Sequence, residues 1–278
     1  MLKIILLGLG VQSTALYLMS SMGMIPKADL AIFVDTGKEG TGTYQYLRFL
    51  QNWQAGNNGL PLTVLTGKNL YQDLLHPSYA ERPTSIPAFT YNPDGTIGML
   101  RRQCTSEYKI RVMDDYIRNS IYGLPKYARR PETALWYGIT TDEIERLSFP
   151  REAWKVNTYP FAGYYTTHGG ATEKLEWSKP MARQDVIRWY VLRELPVPPK
   201  SACVFCPYQS DASWAIRKKL FPDDFAAAIA VDNAIRNSTR AGIHYPVFLH
   251  RSCRPLESVE FDSRGDTQWG ECSGTCHV

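Results

Sequence analysis

The sequence predicts an α/β protein built on a Rossmann-like parallel sheet with flanking helices. Along the first third of the chain, short apolar runs of strand character alternate with segments of helical period. Such alternation produces parallel strands joined by right-handed crossovers, with the ligand site beyond the carboxyl ends of the strands. We expect an α/β nucleotide-binding domain over residues 1–200 and a helical, metal-associated region over 201–278 that ends in a mobile cysteine tail.

Each element is predicted by its pattern of apolar residues. The first strand is the buried run LKIILLGL, which leads directly into a glycine loop and a helix. The segment TDEIERL at 141–147 opens a further helix with Thr141 as its N-cap. An amphipathic helix over 183–195 ends at PVPP. The predicted strands are 2–9, 29–37, 61–67 and 132–140, and the other predicted helices are 13–24, 43–54, 106–123, 212–221 and 223–237.

Two segments show no sustained period. From about Tyr71 to Arg101 the chain is rich in Pro, Tyr, Ser and Asn, which predicts a long loop. Long loops of this kind are commonly functional, and we expect residues 76–100 to form a lid over the site. The tail from Arg264 is glycine-rich and is expected to be irregular.

The composition is that of a folded, water-soluble protein, with 44% hydrophobic and 12% aromatic residues. No apolar run approaches the roughly 20 residues that a membrane helix needs, and the start MLKIILLGLG lacks a small-residue cleavage site. We therefore expect a cytoplasmic protein without a membrane partner. The net charge of +4 and the pI of about 8.6 suit an anionic substrate, and nucleic acid is compatible with them without being required.

The stretch GLGVQSTAL directly follows the first strand. It lacks the last glycine of the dinucleotide fingerprint and the lysine of the Walker pattern. Backbone N–H groups of a tight glycine turn before a helix can bind an anion, and the following polar side chains add donors; a tight turn without a ligand would have the same glycines. The candidate nucleotide-binding residues of this loop are Gly8, Gly10, Val11, Gln12, Ser13 and Thr14.

Other polar residues follow predicted strands. Asp35, after the second strand, can accept hydrogen bonds from a ribose or hold a metal, or it can cap a helix. Asp142, Glu143 and Arg146 follow the fourth strand, where they can face a ligand or form a solvated first turn. Basic residues suited to phosphate or sulfate are Lys109, Arg111 and Arg183, and each is also an ordinary surface residue.

The six cysteines indicate metal binding or redox chemistry, because a cytoplasmic chain does not use a disulfide framework. Cys203 and Cys206 form a CxxC flanked by prolines, and two thiolates at this spacing can bind one metal centre, although two buried cysteines would look the same. Four thiolates suit either zinc or a [4Fe–4S] cluster. The remaining cysteines are Cys104, Cys253, Cys272 and Cys276, the last two near the C-terminus among small residues, as in a thiol that visits a substrate.

These motifs, taken in order, resemble the phosphoadenosine phosphosulfate (PAPS) reductase family of the adenine-nucleotide α-hydrolase-like superfamily, particularly its stand-alone phage and bacterial members. The matching stretches are GLGVQSTAL, FVDTGKEGTGTYQYL, RRQCTSEYKI, WYGITTDEIERL, RQDVIRWY, CVFCPYQSDASW and ECSGTC. The resemblance implies that the glycine loop is a PP-loop that binds the phosphates or sulfate of an adenine nucleotide: PAPS, adenylylsulfate (APS) or ATP. It extends the nucleotide site to Gly138, Asp142 and Arg146, and it implies an iron–sulfur cluster, with zinc as the alternative.

The resemblance also assigns roles to the cysteines. Cys104, Cys203 and Cys206 are the implied cluster ligands, with Cys272 or Cys276 as the fourth and Cys253 as the less favoured alternative. Reductases of this family carry their nucleophile in a terminal Glu-Cys-Gly motif, and residues 271–274, Glu-Cys-Ser-Gly, resemble a stretched version of it. One cysteine cannot both ligate the cluster permanently and attack a sulfonucleotide, so these two implied roles of Cys272 conflict.

Three functions are compatible with these motifs. The first is reduction of PAPS or APS through Cys272, with a thiol donor such as thioredoxin. The second is an ATP-dependent sulfurtransferase that adenylates a nucleic acid or a small molecule. ATP-using loops of the superfamily have Ser-Gly-Gly-x-Asp-Ser, whereas this chain has Gln12 where they have aspartate. The third is a nucleotide-binding protein with a zinc site and no turnover. A homo-oligomer is compatible with each.

Overall fold

The computed structural model describes residues 1–76, 86–237 and 244–262. In chain order the elements are β1 (Leu2–Leu6), α1 (Val11–Ser21), β2 (Leu30–Asp35), α2 (Thr41–Gly56), β3 (Leu62–Thr66), α3 (Leu70–Leu75), β4 (Phe89–Tyr91), β5 (Ile97–Met99), α4 (Arg111–Tyr116), β6 (Thr133–Trp136), β7 (Lys155–Tyr159), β8 (Tyr164–Thr167), β9 (Thr172–Lys174), α5 (Arg183–Leu192), α6 (Asp211–Leu220), α7 (Pro222–Ile235) and β10 (Val247–Phe248). π-Helical turns at Thr105–Ile110 and Ile117–Ile121 extend α4 on both sides, and 3₁₀ turns lie at Thr141–Arg146 and Leu256–Ser258.

The central sheet has seven strands in the order β3-β2-β1-β6-β7-β8-β9. The first five strands of this order pair in parallel, and β8 and β9 continue the sheet as antiparallel strands. This arrangement confirms the predicted α/β class with a mostly parallel sheet and flanking helices. It places the loops after β1, β2 and β6 together at the carboxyl ends of the strands, which we call the carboxyl edge of the sheet, because parallel strands end on the same side.

Helices cover both faces of this sheet. Adjacent strand residues point to opposite faces, and they do so here: Ile5 and Trp136 belong to one buried cluster, while Ile4 and Leu135 belong to another. The first cluster includes residues of α1, α2 and α5, and the second includes residues of α4 and of the π-helical turn that follows it. The central strands are therefore buried on both sides, as parallel sheets require.

Strands β7 to β9 are absent from the sequence prediction. The pattern fails at β7 because this strand buries polar residues: all of its five residues are buried. Lys155 pairs with Asp114 at 2.7 Å, and Asn157 donates to the carbonyl of Ser148 at 3.0 Å. A buried strand whose polar side chains find partners on other elements has no apolar run by which the sequence could reveal it.

The prediction of a long irregular loop from about residue 71 to 101 is wrong for the described residues of that segment. Leu70–Leu75 form α3, whose N-cap Asn69 accepts a hydrogen bond from the backbone of Gln72 at 3.0 Å. Beyond it, β4 and β5 form a hairpin that pairs with β10 in a second, three-stranded sheet. Ile86 and Ala88 pack into the same buried cluster as residues of α6 and α7, so distant packing orders a segment too short for a periodic signal. Residues 77–85 lie outside the described residues.

Two local predictions are corrected or left open. The 141–147 segment is a 3₁₀ turn, and Thr141 is its first residue; Thr140 occupies the N-cap position. The Thr140 hydroxyl accepts a hydrogen bond from the side chain of Gln12, 3.3 Å away, and does not cap the turn. The predicted irregular tail from residue 264 lies outside the described residues.

Within the ranges that the structure does describe, no helix has both the length and the apolar character needed to cross a bilayer.

A buried aspartate joins α7 to the beginning of α2. Asp224, only 3% exposed, accepts hydrogen bonds from the Thr41 backbone at 2.8 Å and from the Thr41 hydroxyl at 2.9 Å. It also pairs with Arg217 of α6, with 3.4 Å between Oδ2 and the guanidinium. One carboxylate therefore fixes α2, α6 and α7 relative to one another.

We predict that Asp224→Ala lowers the free energy of unfolding by about 3 kcal/mol, because it leaves the buried Arg217 without its carboxylate. Urea unfolding measures the loss. The matched control is Asp223→Ala, on the same helical turn but exposed, which should cost less than about 1 kcal/mol. Equal losses in the two variants would contradict a role for the buried pair.

Candidate functional site

The glycine loop joins β1 to α1 and closes on itself through Ser13. The backbone N–H of Gly8 donates to Ser13 Oγ at 3.1 Å, and Ser13 Oγ donates to the carbonyl of Gly10 at 3.4 Å. Leu9, fully buried, has a φ of 58°, a left-handed conformation that costs a non-glycine residue about 1 kcal/mol or more. The first turn of α1 carries no acidic residue, so its N-terminal field favours an anion.

Gly138, two residues beyond β6, contacts the backbone of this loop. A Cβ built on Gly138 would lie 2.5 Å from the backbone nitrogen of Ser13 and 2.7 Å from the carbonyl carbon of Gln12. Only glycine allows two backbone segments to approach so closely. The structure therefore brings Gly138 and the loop together and gives Gly138 a packing role there.

Gln12 connects the loop to two further elements. This residue lies in the first turn of α1 and is only 4% exposed. Its Nε2 donates to Glu143 Oε2 at 2.6 Å, and its Oε1 accepts from the guanidinium of Arg183 at 3.1 Å. Glu143 in turn pairs with Arg146 at 2.6 Å. The sequence predictions for Gln12, Arg146 and Arg183 therefore converge on one network at the carboxyl edge of the sheet.

Two more contacts hold this network in place. Both carboxylate oxygens of Asp142 accept from the backbone N–H of Arg183, at 3.1 and 3.2 Å, so Asp142 fixes the start of α5. Farther along α5, the hydroxyl of Tyr190 donates to the carbonyl of Val11 at 3.0 Å. Val11 and Thr14 were predicted to bind nucleotide; in the structure both side chains are buried within α1.

Asp35 lies at the end of β2, as expected, and stabilises the turn that follows it. Its Oδ1 accepts from the backbone N–H of Gly37 at 2.8 Å and from the hydroxyl of Tyr44 at 2.9 Å. Asp35 therefore stabilises a turn, a role close to the helix cap that the sequence also allowed for this residue. It does not join Asp35 to the network around Gln12.

A second group of polar residues surrounds Cys203, and we call it the thiol cluster: Thr36, Glu39, Lys109 and Cys203. The Cys203 sulfur lies 3.1 Å from Thr36 Oγ1 and 3.6 Å from Glu39 Oε1. The same Glu39 oxygen lies 3.5 Å from Lys109 Nζ. The side chain of Glu39 is fully buried, and within the described residues no group hydrogen-bonds its second oxygen, Oε2.

Other side chains fix the CxxC turn. The amide of Gln209 donates to the carbonyls of Val204 and Cys206, at 3.3 and 2.8 Å. Its oxygen accepts from the guanidinium of Arg217 at 3.1 Å. Backbone contacts of Gly40 with Ala202 join this turn to the segment before α2. The turn is therefore held in a defined position beside Glu39.

Burial and neighbouring charges shift the pKa values of these groups. Burial raises the pKa of Cys203 well above its ordinary value, and the nearby Glu39 raises it further. Burial raises the pKa of Cys206 to about 11, with a contribution from Cys104, whose own pKa burial also raises. Burial alone would lower the pKa of Lys109, but Glu39 and two neighbouring thiols raise it above its usual value.

The three internal cysteines offer a donor set suited to zinc or an iron–sulfur cluster. They are near enough to perturb one another electrostatically, and the positive charges of Lys109 and Arg217 lie beside them. A bound metal would offset the burial cost of the thiolates, because metal coordination lowers thiol pKa values. Among residues 1–76, 86–237 and 244–262, however, no three His, Cys, Asp or Glu side chains are already arranged around a metal position. In their chemistry, the residues fit such a group.

The other cysteines lie apart from this set or outside the described residues. Cys253 is buried in a turn with a φ of 49°, where its N–H donates to the carbonyl of His250 at 3.0 Å. Burial is the cause that raises the pKa of Cys253. The predicted catalytic residues Cys272 and Cys276 lie outside the described residues.

A cavity of about 50 Å³ is lined by Gly8 of the glycine loop and by Lys109 of the thiol cluster. The rest of its lining is mostly apolar and comes from the β1 and β2 region, from Met113 of α4 and from the π-helical turn before α4. Lys109 therefore belongs both to the cavity beside the loop and to the charged surroundings of Cys203.

Sequence reasoning missed Thr36, Glu39, Gln209 and Arg217. Glu39 lies in the segment after β2, only four residues beyond Asp35, so its position at a strand end was an available signal. Gln209 and Arg217 have no such signal, because an ordinary loop and an ordinary helix carry them. Their role depends on contacts between distant parts of the chain.

We predict that Gly138→Ala lowers the free energy of unfolding by about 1 to 3 kcal/mol, because the new methyl group meets the loop backbone at 2.5 Å. Thermal or urea unfolding measures the change. Gly56→Ala is the control: a Cβ there meets nothing within 4 Å, and the substitution should be neutral or stabilising by up to about 1 kcal/mol. A Gly138→Ala protein as stable as the wild type would show that the loop yields without cost.

No protein-family model matches this chain, and no curated protein matches it.

Proposed function

We propose that this protein is an adenine-nucleotide-binding enzyme of sulfur metabolism that reduces a sulfonucleotide, PAPS or APS, in the manner of the PAPS reductase family. One observation carries the proposal: Lys109 lines the cavity beside Gly8 and also lies 3.5 Å from Glu39, next to Cys203. A phosphate-binding loop and a thiol cluster thus share one cationic side chain at the carboxyl edge of a parallel sheet. A nucleotide anion at the loop would therefore lie near the internal thiols that we assign below to a metal centre, and this supports the proposal.

In this proposal the glycine loop and the basic side chains near it bind the nucleotide anion. Backbone N–H groups of the loop after Gly8 and of the first turn of α1 receive the phosphate or sulfate. Arg183, held at Gln12, and Lys109 add positive charge. Gly138 lets the loop backbone keep its position, because any larger residue would displace it.

The proposed chemistry has three steps. The thiolate of Cys272 attacks the sulfur of the sulfonucleotide; an S–S bond forms as the S–O bond to the phosphate breaks, and the electron pair leaves with the nucleotide. A thiolate of a dithiol donor such as thioredoxin then attacks the cysteine sulfur, and sulfite leaves with the electron pair of the S–S bond. The second donor thiol resolves the mixed disulfide, so that the donor dithiol is oxidised by two electrons and the sulfate sulfur is reduced to sulfite.

The internal thiols have a different task. Cys104, Cys203 and Cys206 are half-buried or held in a turn, and their raised pKa values make them poor nucleophiles without a metal. We assign to them an iron–sulfur cluster, with zinc as the alternative and a tail cysteine, Cys276 or Cys272, as the fourth ligand. Such a centre, when bound, supplies local positive charge that keeps its thiolates deprotonated and polarises nearby anions. Lys109 and Arg217 remain beside it as charged neighbours.

We predict that protein purified without oxygen contains about four iron atoms and about four sulfides per chain and absorbs visible light. Cys104→Ser, Cys203→Ser and Cys206→Ser should each lose most of this iron. Cys253→Ser is the matched control and should retain it, because Cys253 lies in a separate turn. If the protein is colourless and contains one zinc per chain, the iron–sulfur assignment is wrong and the centre is a zinc site.

We predict that the protein releases sulfite from PAPS or APS with reduced thioredoxin, and that Cys272→Ser abolishes this release. Lys109→Met should lower kcat/KM at least about tenfold, because it removes a charged donor from the anion site. The control is Lys126→Met, which removes an exposed lysine of a surface loop.

Other outcomes of the same assay assign other functions. Formation of AMP from ATP without sulfite release, stimulated by RNA, DNA or a small molecule, would establish the sulfurtransferase. Full activity of Cys272→Ser would remove Cys272 from the mechanism. Nucleotide binding with zinc and no turnover of PAPS, APS or ATP would leave a non-catalytic protein.

A further inference from the structure

Gln12 is held by two partners of opposite character. Its Nε2 donates to a carboxylate oxygen of Glu143 at 2.6 Å, and its Oε1 accepts from Arg183 at 3.1 Å. The reverse orientation of the amide would place oxygen against carboxylate and NH₂ against guanidinium, so the partners settle the assignment. Thr140, fully buried, completes the set as an acceptor for Nε2 at 3.3 Å.

This pair of partners restricts which side chain can occupy position 12. A carboxylate there would satisfy Arg183 but would contact the carboxylate of Glu143. A cationic side chain would satisfy Glu143 but would repel Arg183. A neutral amide carries both a donor and an acceptor, and Gln has the length that reaches both partners.

The network also determines where two guanidinium groups lie. Arg183 is held through Gln12, and Arg146 is held by the second oxygen of Glu143 at 2.6 Å. Asp142 holds the backbone N–H of Arg183, and Gln12 accepts a hydrogen bond from its guanidinium. Among the described residues, Glu143 supplies the carboxylate that accepts a hydrogen bond from Gln12, and each of the two arginine side chains brings a positive charge to this network beside the loop.

We infer that Gln12 and Glu143 form a matched pair in which Gln12 is a positioning residue: it orients Arg183 at the glycine loop and sets the affinity of the site for the nucleotide anion. This inference rests on the proposed function, since it assumes that the loop binds the nucleotide. It also gives a physical reason for the missing aspartate. With Glu143 in place, an acidic residue at position 12 would force two carboxylates into contact in a nearly buried site.

The test is a double-mutant cycle of Gln12→Glu, Glu143→Gln and the combination of both. The probes are adenosine 3′,5′-bisphosphate and AMP, with Kd measured by calorimetry. Gln12→Glu should raise Kd at least about tenfold, because like charges in contact are strongly unfavourable. The double variant exchanges amide and carboxylate and retains the charge count, so its Kd should return to within about threefold of the wild type.

Two further variants control the cycle. Gln51→Glu makes the same charge change on the exposed surface of α2 and should leave Kd unchanged. If Gln12→Glu does not fold, Gln12→Met removes both hydrogen bonds without adding charge and should also raise Kd about tenfold. Unfolding in urea without nucleotide provides a second readout, in which the double variant should be more stable than Gln12→Glu.

The outcomes separate the inference from the proposed function. Wild-type protein that binds neither probe would overturn the proposed function. Wild-type protein that binds them while Gln12→Glu or Gln12→Met binds equally well would overturn the inference alone. A double variant no better than Gln12→Glu, in both binding and unfolding, would also overturn it.

Discussion

The close contact between Gly138 and the glycine loop is the constraint on which the rest of the site depends. β1 and β6 pair in parallel, so the chain leaving β6 must pass the loop that leaves β1. With no side chain at Gly138, the two backbones meet at a separation that a Cβ would not permit. The same approach brings the turn after β6 within reach of α1, where Gln12 joins Glu143 and Arg183. The pairing of β1 with β6, the missing side chain of Gly138 and the amide of Gln12 therefore depend on one another.

The buried carboxylate of Glu39 organises the other half of the site. A fully buried acid beside a thiol is unfavourable unless positive charge or hydrogen bonds compensate it. Lys109 and Thr36 provide that compensation on one oxygen, 3.5 and 3.0 Å away. Because Lys109 also lines the cavity beside Gly8, an anion at the loop and the charge on Glu39 act on the same ammonium group. Charge beside the glycine loop and charge at the thiol cluster are therefore coupled through Lys109.

The sequence predicted the fold wherever period and burial agree. Strands β1, β2, β3 and β6 are apolar runs, and the helices between them have a buried face, so local pattern and tertiary position coincide. It failed at β7, whose buried Lys155 and Asn157 read as polar, and at the β4–β5 hairpin, whose three-residue strands give no periodic signal. In both places the decisive partners, Asp114, Ser148 and the packed helices α6 and α7, are remote in the chain.

By itself the sequence determined the parallel sheet, the glycine loop at its edge and the candidate residues that follow the strands, because these depend on local apolar pattern and strand order. It also identified Gln12, Arg146, Arg183 and Lys109 one by one. Only the tertiary structure decided that Gln12 lies between Glu143 and Arg183, and that Lys109 faces Glu39 and Cys203. The physical reason is that hydrogen bonds and ion pairs depend on distances of a few ångströms between segments more than 60 residues apart, and spacing along the chain does not record them.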